Sequence, residues 1–146
     1  MSFFDSMNTA ASGLTAQRFR LDIISQNIAN ANTTRTENGG PYKRKAVIFE
    51  QIQNEGDFAS ILNKKKNLSG TNGVRIAKVV QDDSQGALVY NPTHPDANAQ
   101  GYVEMPNVNT IDEMVNMISA SRSYEANVTS FNTAKAMFEK TLEIGK

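Results

Sequence analysis

Asn109-Thr110-Ile111-Asp112-Glu113-Met114-Val115-Asn116-Met117-Ile118 opens the longest helix-forming stretch of this chain, which runs to Ile144 without a proline or a glycine. Thr110 and Glu113 have the spacing of a capping box, in which a hydroxyl caps the first turn and the carboxylate reaches back. Gly145 stands where such a helix stops. Met117, Tyr124, Phe131 and Phe138 recur every seven residues, and Met114, Ser121, Val128, Lys135 and Leu142 form a second row beside them. That is a heptad seam, weakened by Ser121 and Lys135. At 1.5 Å per residue the helix is about 50 Å long, whereas a compact ball of this chain length is only about 38 Å across. A helix of that length calls for a partner outside its own fold.

The other end of the chain carries a matching stripe. Residues 2–31 read as a second long helix, opened by Ser2 and Asp5 at capping-box spacing. Met7, Leu14, Leu21 and Ile28 sit seven apart, with Phe3, Ala10, Gln17, Ile24 and Ala31 as companion row. Gly13 costs about 1 kcal/mol relative to alanine, which leaves this helix marginal in isolation. The simplest inference is that the two stripes pack together and then against copies of themselves. The helix closes in Asn27-Ile28-Ala29-Asn30-Ala31-Asn32-Thr33, where asparagine tolerates the left-handed conformation and offers its amide to orphaned carbonyls.

Between the helices the period falls to two. Tyr42 to Ile52 contains one strand and Val74 to Val80 a second. Asp82 to Gly86 then reads as a turn that returns Ala87 to Tyr90 as the partner of the second strand. Residues 53–73 are polar and read as an exposed excursion with a short helix over Asp57 to Lys64, and Asn91 to Asp96 is a connector with two prolines. The expected fold is α+β: long N- and C-terminal helices forming a coiled-coil-like bundle around a small, mostly antiparallel β middle. Its parts are an N-terminal axial helix over 1–34, a β-rich middle over 35–106 with the excursion near 53–73, and a C-terminal axial helix over 107–146.

Composition closes off several functions. Fifteen basic residues balance fifteen acidic ones, so no field points to nucleic acid or to an anionic membrane. Cysteine is absent, which excludes disulfides and thiolate chemistry. No run has the ~20 apolar residues of a membrane span, and no segment has the order of a cleavable secretory signal. His94 is the sole histidine, set in a turn without catalytic or metal partners. Asp82-Asp83 lacks the ligand series of a calcium loop. Lys43-Arg44-Lys45 and Lys64-Lys65-Lys66 are solvated faces or rim contacts. No nucleophile–base set and no phosphate loop appears, so no catalytic, cofactor-binding or metal residues are assigned.

Asn27, Ala29, Asn30, Asn32 and Thr33 resemble the asparagine–alanine signature of the bacterial flagellar axial proteins of rod and hook. A second block is similar to the proximal-rod members in particular: Val89-Tyr90-Asn91-Pro92-Thr93-His94-Pro95-Asp96-Ala97, then Gly101 to Asn109, Glu113-Met114-Val115, Met117 to Tyr124, and Asn132 to Lys135. The resemblance covers residues 1–50 and 74–146. It implies a structural subunit of the rod, the drive shaft of the basal body, assembling through its terminal helices to transmit torque across the periplasm. Its implied partners are other rod and basal-body axial proteins, copies of itself and the flagellar type III export apparatus, without direct membrane insertion. Export without a cleavable signal, with Phe3 and Met7 as export element, is implied likewise. The assembly seam is then Met7, Leu14, Leu21, Ile28, Met114, Met117, Tyr124, Val128, Phe131, Phe138 and Leu142. The competing class is a soluble coiled-coil binding module clasping a heterologous partner. A rod subunit is monomeric with frayed ends when alone, whereas a finished coiled-coil module is strongly helical and oligomeric.

Overall fold

A computed structural model describes residues 3–37, 39–52 and 73–145. The excursion and short helix expected near 53–73 fall almost wholly outside the described residues, as do Ser2 and the side chain of Phe3. The elements run α1 (Phe3–Ala29), β1 (Lys45–Gln51), β2 (Val74–Gln81), β3 (Leu88–Tyr90), β4 (Tyr102–Glu104) and α2 (Thr110–Ile144). The fold is α+β, as the change of periodicity along the chain implies. Two compact units divide it, and every long element contributes to both. The first gathers Met1–Arg18, Phe49–Ala77 and Ser121–Lys146; the second gathers Phe19–Ile48 and Lys78–Ala120.

Helix α1 holds together without strong propensity. Thr9 and Thr15 donate their hydroxyls back to the carbonyls of Asp5 and Ala11, which satisfies the hydroxyls but shares those acceptors with the ladder. It ends two residues earlier than the sequence suggests, and not through a left-handed asparagine. No described non-glycine residue has positive φ. Instead, tightening right-handed turns close the helix: Asn30 N–H donates to Gln26 O, Ala31 to Ile28 and Thr33 to Asn30. The Asn30 side-chain amide also donates to Gln26 O at 2.9 Å, so it does satisfy an orphaned carbonyl. The chain then loops through Gly39 and Gly40, whose φ of 77° and 83° suit glycine. Tyr42 N–H returns to Thr33 O at 3.0 Å to close that loop.

Strands β1 and β2 form a two-stranded antiparallel ladder. Ile52 N–H donates to Gly73 O at one end, and Asp82 N–H donates to Arg44 O at the other. The second strand therefore does not return on Ala87 to Tyr90. β3 pairs with β4 instead, Val89 opposite Val103, and the two-proline segment is the loop between them. The physical reason lies in Asp82 to Gly86. The Asp82 carboxylate accepts the Ser84 N–H in an Asx-turn. The Asn107 amide then binds the carbonyls of Asp82 and Ser84, so the segment is pinned to the connector before α2 and does not fold back on β2. The Ser84 N–H bond also holds the Asp82 carboxyl below the usual carboxylate range.

In the first unit, Gly13 of α1 faces Asn127 of α2, and a Cβ at position 13 would lie 3.0 Å from the Asn127 amide nitrogen. Phe4 and Phe138 meet nearby with ring centroids 6.4 Å apart, so within this unit the helices run antiparallel. Ser12 Oγ accepts the Val74 N–H at 3.1 Å, tying α1 to the start of β2. In the second unit the buried apolar side chains are Ile23, Ile24, Ala31, Tyr42, Val103, Pro106 and Ala120. Gly86 is packed there against the connector before α2, and a Cβ at that position would fall on the carbonyl oxygen of Met105. Gly86→Ala is therefore expected to lower stability by about 1–3 kcal/mol through forced backbone displacement. Gly39→Ala, with only φ against it, should lose about 1 kcal/mol. Chemical denaturation of both variants measures the difference; equal midpoints would show that the Gly86 backbone moves freely.

Candidate functional site: a buried polar junction

The most buried large side chains of the second unit are polar: Asn27 is 0% exposed and Glu113 is 1% exposed. Asn27 stands in the last turn of α1, Glu113 in the first turn of α2, and Tyr42, Arg44 and Lys45 at the entry to β1. The Asn27 amide nitrogen donates to Lys45 O at 2.8 Å and to Glu113 Oε2 at 3.0 Å. Its carbonyl oxygen accepts the Tyr42 hydroxyl and the Lys45 N–H, each at 3.0 Å. Both donors and both lone pairs of one side chain are thus spent on three residues, which ties the end of α1 to the entry of β1 and to the first turn of α2. Glu113 completes the junction through its other oxygen, which accepts from Arg44 Nε at 2.8 Å and lies 2.7 Å from Arg44 Nη2.

The capping box expected at Thr110 does not form. Asn109 caps α2, with its side-chain oxygen on the Ile111 N–H at 3.0 Å and its backbone carbonyl on the Glu113 N–H. The Glu113 carboxylate is thereby released from the helix end to meet Arg44. Connector residue Asn107 secures the Arg44 backbone N–H at 2.7 Å. A buried ion pair adds little net stability over a well-packed apolar pair, but removing one partner alone costs about 3–5 kcal/mol by stranding the other. Burial, and then the Glu113 charge beside it, push the Tyr42 phenol above its ordinary range. The arrangement is enclosed and fully hydrogen-bonded; it can hold three segments together. Among the described residues no group of three or more histidines, aspartates or glutamates is close enough to hold a metal ion.

The residues singled out in the sequence spread around this junction. Ala29 and Asn32 are exposed and Asn30 and Thr33 half-buried, with the Thr33 hydroxyl on Asn30 Oδ1 at 3.2 Å. Met7, Leu14, Leu21 and Ile28 are half-buried on α1, as are Met117, Tyr124, Val128 and Phe131 on α2. Met114, Phe138 and Leu142 are exposed. The most covered row of α2 is Glu113, Ala120, Asn127 and Ala134, one step from the rows chosen by hydrophobicity. The junction roles of Tyr42 and Asn107 were not read from the sequence, and Arg44, read there as part of a solvated or rim run, turns instead to the buried Glu113. The available signal was a carboxylate and an amide recurring at seven-residue spacing with alanines. His94 serves its turn, its Nδ1 accepting the Asp96 N–H at 3.1 Å.

Two family models match the chain at its two ends, and they define its class. One is described as flagella basal body rod protein and covers residues 7–35; the other, flagellar basal body rod FlgEFG protein C-terminal, covers residues 99–144. Relatives match along the whole length. A protein of Bacillus subtilis (strain 168) named flagellar basal-body rod protein FlgC is 52% identical, with all of both chains covered. One of the same name from Borreliella burgdorferi is 49% identical over 99% of this chain and 98% of its own. The Escherichia coli O6:H1 protein of that name is 41% identical with both chains covered in full. The chain belongs to the FlgC family of flagellar basal-body rod proteins, and it is a structural subunit of the rod.

Two outcomes follow from the junction. Asn27→Ala and Glu113→Ala are each expected to cost about 3–5 kcal/mol. The double variant should cost clearly less than their sum, since the second change relieves what the first strands; strict additivity in denaturant titrations would show the two side chains acting separately. The second outcome concerns pH. The folded state keeps the Tyr42 proton longer than the unfolded state does, so this contribution is intact below pH ~10 and declines as pH rises through and above it. Tyr42→Phe should therefore lose less stability than the parent between pH 9 and about 11. An identical alkaline decline in both chains would show that Tyr42 carries none of it.

Proposed function

We propose that the chain assembles through its terminal helices with other axial proteins of the basal body and with copies of itself, as a torque-bearing part of the rod in the periplasm. The observation that carries this reading is the outer face of α2. Ile111, Met114, Val115 and Ile118 follow one another at the spacing of a single helical face, and all are between 50% and 66% exposed. Met137 and Leu142 stand equally open near the far end of the same helix. Scattered apolar residues are ordinary on a surface, but four on one face of two turns mark a docking strip. Membership in a rod family supports a neighbouring axial helix as its occupant. The half-buried seam residues, Met117 to Phe131 on α2 and Met7 to Ile28 on α1, then serve the pairing of α1 with α2. A binding module for one unrelated partner has no observation in its favour.

The same reading makes the protein a scaffold rather than a catalyst. It also has the chain leave the cytoplasm through the flagellar type III apparatus, with Phe3 and Met7 as export element. No helix among the described residues is long and apolar enough to cross a membrane.

The expected behaviour of Val115→Asp/Ile118→Asp tests the assembly strip. Both side chains are exposed, so the fold should survive with less than about 0.5 kcal/mol lost per site. The chain should be secreted, fail to enter the basal body and leave cells non-motile. Normal swimming by that strain would remove the strip from the assembly interface. In the same secretion assay, Phe3→Ala/Met7→Ala should stay in the cytoplasm; undiminished secretion would show that the pair only packs the helix.

A further inference from the structure

We infer that the Asn27–Glu113 pair selects the register in which α2 lies along α1. The inference concerns the isolated chain and does not depend on the proposed assembly. Each unit, taken alone, shows the helices meeting at one offset: Asn27 on Glu113 in the second, Gly13 against Asn127 in the first. These positions are fourteen residues apart on each helix, or two heptads, so both contacts use one row of α2: Glu113, Ala120, Asn127 and Ala134. The neighbouring row, Met117, Tyr124, Phe131 and Phe138, has the same period and a large apolar side chain at every step.

Such a pattern is nearly degenerate to a slide of seven residues. The slide that sets Ala120 on Asn27 also sets Ala134 on Gly13. Each incoming alanine is smaller than the residue it replaces, so the close approach at Gly13 does not resist it. Methionine, tyrosine and phenylalanine meanwhile exchange places within their own row. Apolar burial is non-directional and barely separates the two registers. Hydrogen bonding does separate them. In the displaced register a buried Asn27 donor loses its acceptor, and Glu113 leaves both Asn27 and Arg44. A single buried polar position is the means by which helical seams specify register, and here the amide and the carboxylate serve as lock and key.

The chain has no cysteine, which allows two spin labels to be placed in the full-length protein at Asp22→Cys and Asp112→Cys, both exposed positions of the second unit. Pulsed dipolar spectroscopy then reads the distance between the helices. The parent should give one distance. Asn27→Leu/Glu113→Leu removes both polar groups together and leaves Arg44, already partly exposed, free to turn to water. That chain should keep its helical circular dichroism and show a second population, displaced along the axis by about 10 Å for seven residues. Glu113→Gln keeps an acceptor for Asn27 and should retain the single distance. A folded paired-leucine chain with only the parental distance would overturn the inference and give the register to the connector held by Asn107. An unfolded one would overturn it too, by making the pair a stabiliser rather than a selector. So would a second population in Glu113→Gln or in the parent.

Discussion

A single primary amide is answerable for the meeting of the end of α1, the entry to β1 and the first turn of α2. Asn27 has two donors and two lone pairs, and four different atoms take them: the Tyr42 hydroxyl and the Lys45 N–H and carbonyl at the entry to β1, and the Glu113 carboxylate on α2. Buried at 0% exposure, it has no water to substitute for a missing partner, so every one of those segments must be in place for the others to be satisfied. Glu113 extends the dependence to Arg44, and Arg44 extends it through Asn107 to the segment after β2. The second unit is therefore specified by directional bonds rather than by the size of its core. Its buried apolar side chains are few, and two of them are alanine.

That economy suits a structural subunit of a rod. A chain that buried all its apolar surface within itself would have nothing left for its neighbours. Here α2 is held at its first turn by a charge and an amide, and the outward side of the same two turns remains apolar and uncovered. The polar junction and the apolar strip occupy opposite duties on one stretch of helix. Glu113 is spent internally while Ile111, Met114, Val115 and Ile118, its close neighbours in sequence, are not. The same division appears in the first unit, where Gly13 and Asn127 allow close approach and Met137 and Leu142 stay in the open.

What depends on near neighbours was legible in the order of the amino acids. The uninterrupted run from Thr110, the heptad period of Met117 to Phe138, and the alternation of Val74 to Val80 settled two long helices and short strands, because periodicity and propensity are local. The asparagine–alanine segment and the block from Val89 resemble the flagellar axial proteins, and the relatives bear that out over the full chain. Which strand pairs with which was a matter for the folded chain, since Asp82 to Gly86 has good turn chemistry and reads as a hairpin until Asn107, distant in sequence, claims its carbonyls. Folding decided likewise that Glu113 leaves its capping role to Asn109 and serves Asn27 and Arg44, 86 and 69 residues away. A carboxylate in a first helical turn looks the same in sequence whether it faces its own backbone or a buried amide. The choice between them belongs to hydrogen-bond partners that only folding brings within reach.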